Sequence, residues 1–283
     1  MKKQLLLLVT MMLAMGVQAG EVLYAEVDGT NMTLKCGDAA PEGTQKYDGS
    51  DTWNLSFCKT ITTATIDESC ASYTGTTLAL LFGNCSQLET ITGLSNLNTA
   101  NVTDMIGVFC YCYALTSLDL SGWNTANVTK TNSMFFLCKA LTSLDLSTFN
   151  MTKVSNMDYM FFNCLSLTTI YGSNWDTGNV TESGEMFRGC IRLVGGAGTE
   201  YSDSNANDCT FARIDGGPDA PGYFTNGETT GIKPLTISPE GEGLEAFPRE
   251  GLDGVIYDLS GRQVNGKPTA KGVYVYKGKK VKR

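Results

Sequence analysis

Apolar residues in the middle of this chain return on a fixed schedule. Cys112, Cys138, Cys164 and Cys190 each stand three residues after a phenylalanine that follows Val or Met, and three before a leucine. The segments read VFCYCYALTSLDL from Val108, MFFLCKALTSLDL from Met134, MFFNCLSLTTIYG from Met160 and MFRGCIRLVGGAG from Met186. A period of about 26 residues predicts stacked repeats that share one continuous core. An earlier copy, LFGNCSQLETITGL from Leu81, stands a full period and one further position upstream. After each cysteine, Leu115, Leu118 and Leu120 recur as Leu141, Leu144 and Leu146, and in part as Leu167 and Ile170. Alternation at the second and third of these predicts short parallel strands at Leu115–Leu120, Leu141–Leu146 and Leu167–Tyr171, with one face buried by the neighbouring repeat. Before each cysteine, the spacing of Met157, Met160, Phe161 and Cys164 suits one buried face of a short helix. The predicted unit is strand, turn, loop, short helix, and the predicted fold is a right-handed α/β repeat solenoid.

The remainder divides around that array. Residues 81–199 are the solenoid. Residues 20–80 read as a β-rich N-terminal cap: Val22–Val27 and Met32–Cys36 alternate about Asp28-Gly29-Thr30-Asn31, a hairpin signal, and Ile61–Ile66 is a further strand. Strand leucines give way to glycine-rich sequence after Val194, so residues 200–226 are expected to close the other end. Gly, Pro, Glu and Thr dominate 227–253, which reads as an exposed linker. Residues 254–283 alternate again and predict a small β segment. Trp123, Phe149 and Trp175 hold the ninth place of each unit and predict a packed ring stack; Val128, Val154 and Val180 are the single apolar anchors of the polar loops that follow.

The LxxLxL strands are those of a leucine-rich repeat. NTANVTDMIGVF from Asn98, NTANVTKTNSMF from Asn124 and the SLDLS strands resemble the BspA-like leucine-rich-repeat surface proteins of bacteria. LETITGLSNL from Leu88 resembles that family's entry repeat, and Phe211-Ala-Arg-Ile-Asp-Gly-Gly with Pro221-Gly-Tyr-Phe-Thr its closing segment. Two departures stand out: Thr131 and Ser183 replace the methionine found at Met105 and Met157. The resemblance implies an exported surface protein for protein–protein recognition or adhesion, with host extracellular-matrix proteins among the implied ligands. The tail is similar to the C-terminal sorting domain of type IX secretion cargo through Tyr257–Arg262, Gly272-Val-Tyr274 and the basic Lys279-Lys280-Val281-Lys282. That likeness implies passage across the outer membrane, with the secretion machinery as a partner.

Charge and composition agree with export. Lys2 and Lys3, the apolar runs Leu5–Val9 and Met11–Met15, and Val17-Gln18-Ala19 form a secretory signal expected to end near residue 19. No later stretch is long and apolar enough for a transmembrane helix. Net charge is −8, which disfavours nucleic acid as a partner. From Val255 onward there are eight basic residues and one acid, leaving 13 basic against 28 acidic residues in the rest. Of ten cysteines, Cys85, Cys112, Cys138, Cys164 and Cys190 keep the repeat phase, which suits small hydrophobes stacked in the core. Cys36, Cys58 and Cys70 have room for one bridge in the N-terminal part; Cys110 and Cys209 complete the off-phase set.

Histidine is absent, which removes histidine-based triads and metal ligands. No nucleophile elbow, phosphate loop or paired carboxylates at a cleft appear, so neither an enzyme nor a cofactor is expected. Candidate ligand-binding residues are the outward rows of the strands: Thr116, Thr142 and Thr168; Ser117, Ser143 and Thr169; Asp119, Asp145 and Tyr171. Adjacent Asp119 and Asp145 lack the further oxygens of a calcium site. The alternatives are a structural spacer without a ligand, or an enzyme with its site in the N-terminal region.

Overall fold

A computed structural model describes residues 22–50, 57–173 and 175–227, together with five short strands of the C-terminal part. The signal segment and most of the linker lie outside these residues. Two compact units divide at Glu228.

The first unit is β-rich, with open sheets. Strands β1 (Val22–Asp28) and β2 (Asn31–Gly37) form a hairpin closed by Gly29-Thr30, in which Gly29 takes the left-handed backbone (φ 60°) that the tight turn requires. β3 (Gln45–Lys46) lies outside β1, and β4 (Thr63–Ile66) and β5 (Thr90–Thr92) follow β2 in parallel. A second sheet holds β6 (Ser143–Asp145), β7 (Thr169–Gly172) and β8 (Phe224–Asn226), all parallel. Parallel bridges Thr77–Asp104–Lys130–Asn156–Glu182 link the same loop position from one copy to the next. Successive copies of the sequence motif thus lie side by side. β8 comes from the closing segment and takes the place beside β7 that the glycine-rich stretch after Val194 leaves open.

Residues Leu115–Leu120 do not form the expected strand, so the two sheets are separate. The break falls where the spacing changes: Leu88 and Leu115 stand one position further apart than Asn98 and Asn124. The additional residue is taken up at the 3-10 turn Leu94–Asn96, entered through Gly93 in the left-handed conformation, between β5 and the segment that would have extended its sheet.

No α-helix forms among the described residues, which corrects the expected α/β unit. The Met-Phe segments are chains of tight turns. Thr131, Ser133, Phe135 and Leu137 donate their N–H groups to Asn156, Asp158, Met160 and Phe162 of the next copy, at 3.1, 2.8, 2.9 and 2.8 Å. Between them Met134, Phe136 and Cys138 donate to the carbonyl three residues back. An eight-residue helix is marginal alone, and it would turn every N–H inward along its own axis. Here half of them join neighbouring copies. Burial keeps the expected spacing all the same: Met157, Met160, Phe161 and Cys164 are wholly buried.

One hydrophobic core runs through the unit. Leu115, Leu118, Leu120, Leu141, Leu144, Leu146, Leu167 and Ile170 are all in it. Its spine is a file of rings, Phe82, Phe109, Phe135, Phe161 and Phe187, with centroids 5.4–5.7 Å apart and planes within 9°. The ring stack expected at Trp123, Phe149 and Trp175 is therefore elsewhere. Those three are buried, but Trp123 stacks on Phe109 and Trp175 meets Phe224 edge-on. The phenylalanine file prevails because its side chains sit directly above one another on hydrogen-bonded turns.

The cysteines form a parallel file. Cys112, Cys138, Cys164 and Cys190 donate their S–H groups to the carbonyls of Phe82, Phe109, Phe135 and Phe161, at 3.0–3.1 Å. Cys85 departs from the core-thiol reading: it forms a disulfide with Cys58, 27 residues earlier. It stands in the first copy, one period after Cys58.

The closing segment is tied by one carboxylate. Asp215 accepts from the N–H groups of Ala197, Thr199 and Gly217 and from the Thr199 hydroxyl, at 2.7–2.9 Å. In the C-terminal unit β9 (Glu245–Ala246), β10 (Ile256–Asp258), β11 (Gln263–Val264), β12 (Val273–Tyr276) and β13 (Lys279–Lys282) form one sheet ordered β11-β10-β12-β13-β9. β9 falls within the stretch read as a linker and pairs in parallel with β13.

Candidate functional site

Two surfaces of the repeat unit face solvent in regular rows. The first is the strand face. Thr116, Thr142 and Thr168 are exposed; Ser117 and Asp119 are exposed, and Ser143, Asp145, Thr169 and Tyr171 are half-buried. Pairing places Ser143 beside Thr169 and Asp145 beside Tyr171. In the separate N-terminal sheet, Asn31, Thr63 and Thr90 form one register line and Thr33, Thr65 and Thr92 another.

Much of this face is occupied with its own structure. Asp119 Oδ1 accepts from the N–H and hydroxyl of Ser121, and Asp145 Oδ1 from those of Ser147, at 2.6–3.1 Å. Asp145 thereby fixes the turn that ends β6, and Asp119 the matching turn after the unpaired Leu115–Leu120 segment. Thr168 donates its hydroxyl to the carbonyl of Thr142. Tyr171 is the aromatic group of these three rows, and burial, with the neighbouring Asp145 charge, raises its phenol above the usual value.

The second surface lies over the tight turns and is not among the residues that the repeat pattern singles out. Left-handed residues recur in pairs four apart: Leu80 and Asn84, Gly107 and Tyr111, Ser133 and Leu137, Tyr159 and Asn163, Glu185 and Gly189. The intervening buried residues point inward. On the outer side of the middle copies, Tyr111, Phe136, Leu137 and Phe162 are half-buried and Tyr159 is exposed, beside the polar Ser133 and Asn163. Tyr111 meets Phe136 edge-on at 5.1 Å; Phe136 stacks on Phe162 at 5.0 Å; Tyr159 packs against both. One position past each cysteine stand Tyr113, Lys139, Leu165 and Ile191. Tyr113, Leu165 and Ile191 are 37%, 38% and 65% exposed, and Tyr159 is 41% exposed. Lys139 Nζ lies 4.6 Å from the centre of the Tyr113 ring. Ring contacts thus join three copies into an aromatic ridge interrupted by Lys139, with Leu165 and Ile191 exposed on the same row and Arg188 in the fourth copy where Phe136 and Phe162 stand in the second and third. A sequence signal existed: Gly, Asn and Ser recur at the left-handed positions, which marks turns in place of a helix.

The concavities are shallow. One of about 310 Å³ is lined by Lys130, Asn132, Asn156 and Glu182, another of about 210 Å³ by Glu185, Arg188, Asp203 and Asn207. Asn156 and Glu182 bond to one another across the first. Among the described residues no three His, Cys, Asp or Glu side chains converge as metal ligands, and no helix is long and apolar enough to cross a membrane. Burial drives the Cys112 and Cys164 thiols well above their ordinary range and raises Cys138 likewise, which holds them protonated.

No curated protein matches the chain. Among solved structures, a leucine rich cell surface protein from Faecalibacterium prausnitzii A2-165 is similar at 18% identity and a TM-score of 0.35. The match covers 60% of this chain and 53% of that one, so the chain spans about half the length of that protein. Residues 76–195, the segment that carries the repeats, match the family model described as "Mycoplasma protein of unknown function, DUF285".

Proposed function

We propose that this chain is an exported surface protein, built as a right-handed leucine-rich-repeat solenoid of 26-residue units, that recognises other proteins and catalyses nothing. The observation that carries the reading is the apolar ridge over the turns. Contiguous exposed aromatic and aliphatic groups on a soluble unit mark an interaction surface, and tyrosine in particular anchors interfaces. The secretory signal and the sorting-like tail support a place at the cell surface. Adhesion to host extracellular-matrix proteins is the use that the BspA-like resemblance implies. Repetition of modest contacts along many copies on one cell would give avidity.

A second reading places the contact on the strand face, and Tyr171 favours it. A third, a spacer without ligand, is favoured by the uniform Thr and Ser of that same face. Binding of the mature chain to immobilised host matrix proteins separates all three. A ridge variant, Leu165→Glu with Ile191→Glu, is expected to lose binding while keeping its thermal transition. A face variant, Thr116→Lys with Thr142→Lys and Thr168→Lys, is expected to retain it. The reverse outcome moves the site to the strands, and binding by none of the proteins leaves the spacer.

A further inference from the structure

We propose that the partner segment seated on the ridge is an acidic peptide, with carboxylates over Lys139 and Arg192 and an apolar side chain between them against Leu165. This rests on the ridge being the recognition surface and goes further by naming the chemistry of what it takes.

The ridge reverses the charge of the chain. From two residues before to two residues after each repeat-phased cysteine, the copies read GNCSQ, CYCYA, FLCKA, FNCLS and RGCIR. No carboxylate stands in these strips, although the chain carries a net charge of −8. Their charged residues are Lys139, Arg188 and Arg192. Arg188 is occupied: its Nη1 donates to both carboxylate oxygens of Glu185, at 2.9 and 2.8 Å. Lys139 and Arg192 are exposed, and neither forms an ion pair among the described residues. Lys139 lies over the Tyr113 ring. A ring face holds an ammonium electrostatically and leaves N–H donors for an incoming carboxylate. Arg192 offers the planar fork that takes a carboxylate by two bonds.

Spacing and the apolar groups select a peptide. Lys139 belongs to the second copy and Arg192 to the fourth, with Leu165 of the third between them. Phe135, Phe161 and Phe187 mark these three copies at successive ring separations of 5.6 and 5.4 Å. An extended segment advances about 3.4 Å per residue, so roughly three residues span the two steps. The long stems of Lys139 and Arg192 take up the remaining difference in register. Leu165 and Ile191, 38% and 65% exposed, flank the cations with aliphatic surface. An apolar side chain covers such surface, whereas a densely charged sugar chain leaves it in water.

Fluorescence anisotropy of the mature full-length chain tests this, with a labelled peptide of Glu-Leu-Ser repeats as probe. The peptide is expected to bind, and more weakly as salt rises. A peptide with lysine in place of each glutamate is expected not to bind. The variant Lys139→Glu/Arg192→Glu should lose at least about tenfold in affinity with an unchanged thermal transition, because both residues are exposed, and Lys139→Arg should keep it. No binding of the acidic peptide overturns the proposal, as does equal binding of the lysine peptide or full affinity in the charge-reversed variant. Dextran sulfate binding where the peptide does not assigns the strip to an anionic sugar chain and also overturns it. If Leu165→Glu/Ile191→Glu loses matrix-protein binding while Lys139→Glu/Arg192→Glu keeps it, the acidic peptide alone falls and the recognition reading stands.

Discussion

Within one copy of the repeat, the strand side and the turn side solve the same problem differently. On the strand side, β6 and β7 pair in parallel and alternate in burial, with Leu144 and Ile170 inside and Asp145 and Tyr171 outside. Every residue there keeps ordinary extended backbone. On the turn side, alternate N–H groups also cross to the next copy, but the chain coils tightly enough to bury a Met, a Phe and a Cys within eight residues. That compactness forces non-glycine residues such as Leu137 and Tyr159 to positive φ, at about 1–2 kcal/mol each. The comparison teaches that one burial pattern serves two backbones. What separates them is where the N–H groups go and which residues stand at the left-handed positions.

The strand side is the more sensitive to loss of volume. Leu144 has neighbours in the copies before and after it and is 1% exposed, so Leu144→Ala is expected to cost about 2–5 kcal/mol. Thr142→Ala, on the outer surface, is expected to change stability by about 0.5 kcal/mol or less. Equal losses in chemical denaturation would abolish the assignment of faces.

The end of the strand ladder should respond to acid. Burial pushes the Asp215 carboxyl up, but donors from Thr199, Gly217 and Ala197 outweigh it and hold the group below its ordinary value. Its folded value is thus lower than its unfolded one. The stabilisation is complete above the ordinary carboxylate value near pH 4 and fades as pH falls through the folded value. Asp215→Asn is expected to cost about 2 kcal/mol at neutral pH, in the range of hydrogen bonds to a charged group. Below about pH 3 the two proteins should unfold at closer temperatures, with both carboxyl and amide neutral. A gap that stays constant with pH would show that the charge contributes nothing.

On the turn side the sharpest test uses one row of left-handed positions. Gly107→Ala places a Cβ 2.7 Å from Leu80 Cδ2 at a φ of +58°, and should destabilise by about 1–2 kcal/mol. Ser133→Gly, one copy on, should do the opposite. Relief of about 1–2 kcal/mol is partly offset by the greater freedom glycine loses on folding, about 0.5–1 kcal/mol. Thermal unfolding is expected to show a net gain of about 0.5 kcal/mol. Destabilisation by Ser133→Gly would argue for a helical segment instead.

The smallest effect is chemical. Cys112, Cys138 and Cys164 are buried, protonated and bonded to carbonyls of the preceding copy, so the native protein should leave them unmodified by alkylating reagent at mildly alkaline pH. Unfolding without reductant should expose them as thiols, and mass spectrometry should recover Cys58 joined to Cys85. A bridge between Cys138 and Cys164 would contradict the cysteine file.

Much of the core was legible. Leucine, phenylalanine and cysteine positions follow from period and spacing, because burial in a stack depends on which residues repeat. The turn-side ridge was not, since Tyr111, Phe136 and Tyr159 occupy different places in their own copies. They become one surface only when the copies are laid side by side. The disulfide partner of Cys58 was hidden for a related reason: Cys85 shares the phase of the core thiols, and only its position in the first layer brings it to Cys58.

The sequence by itself determined the repeat, the inward rows and the identity of the strand face, because a fixed period with a fixed apolar pattern permits one way of burying its leucines. Tertiary structure decided that the Met-Phe segments are turns and that Leu115–Leu120 stays outside both sheets. It also decided which aromatic rows stack and which surface is apolar. These outcomes depend on hydrogen bonds and ring contacts between residues a whole repeat apart. The apolar spacing carries none of that information, because it is the same whether a segment's N–H groups close a helix or reach the next copy; only the recurring Gly, Asn and Ser at left-handed positions hinted at turns.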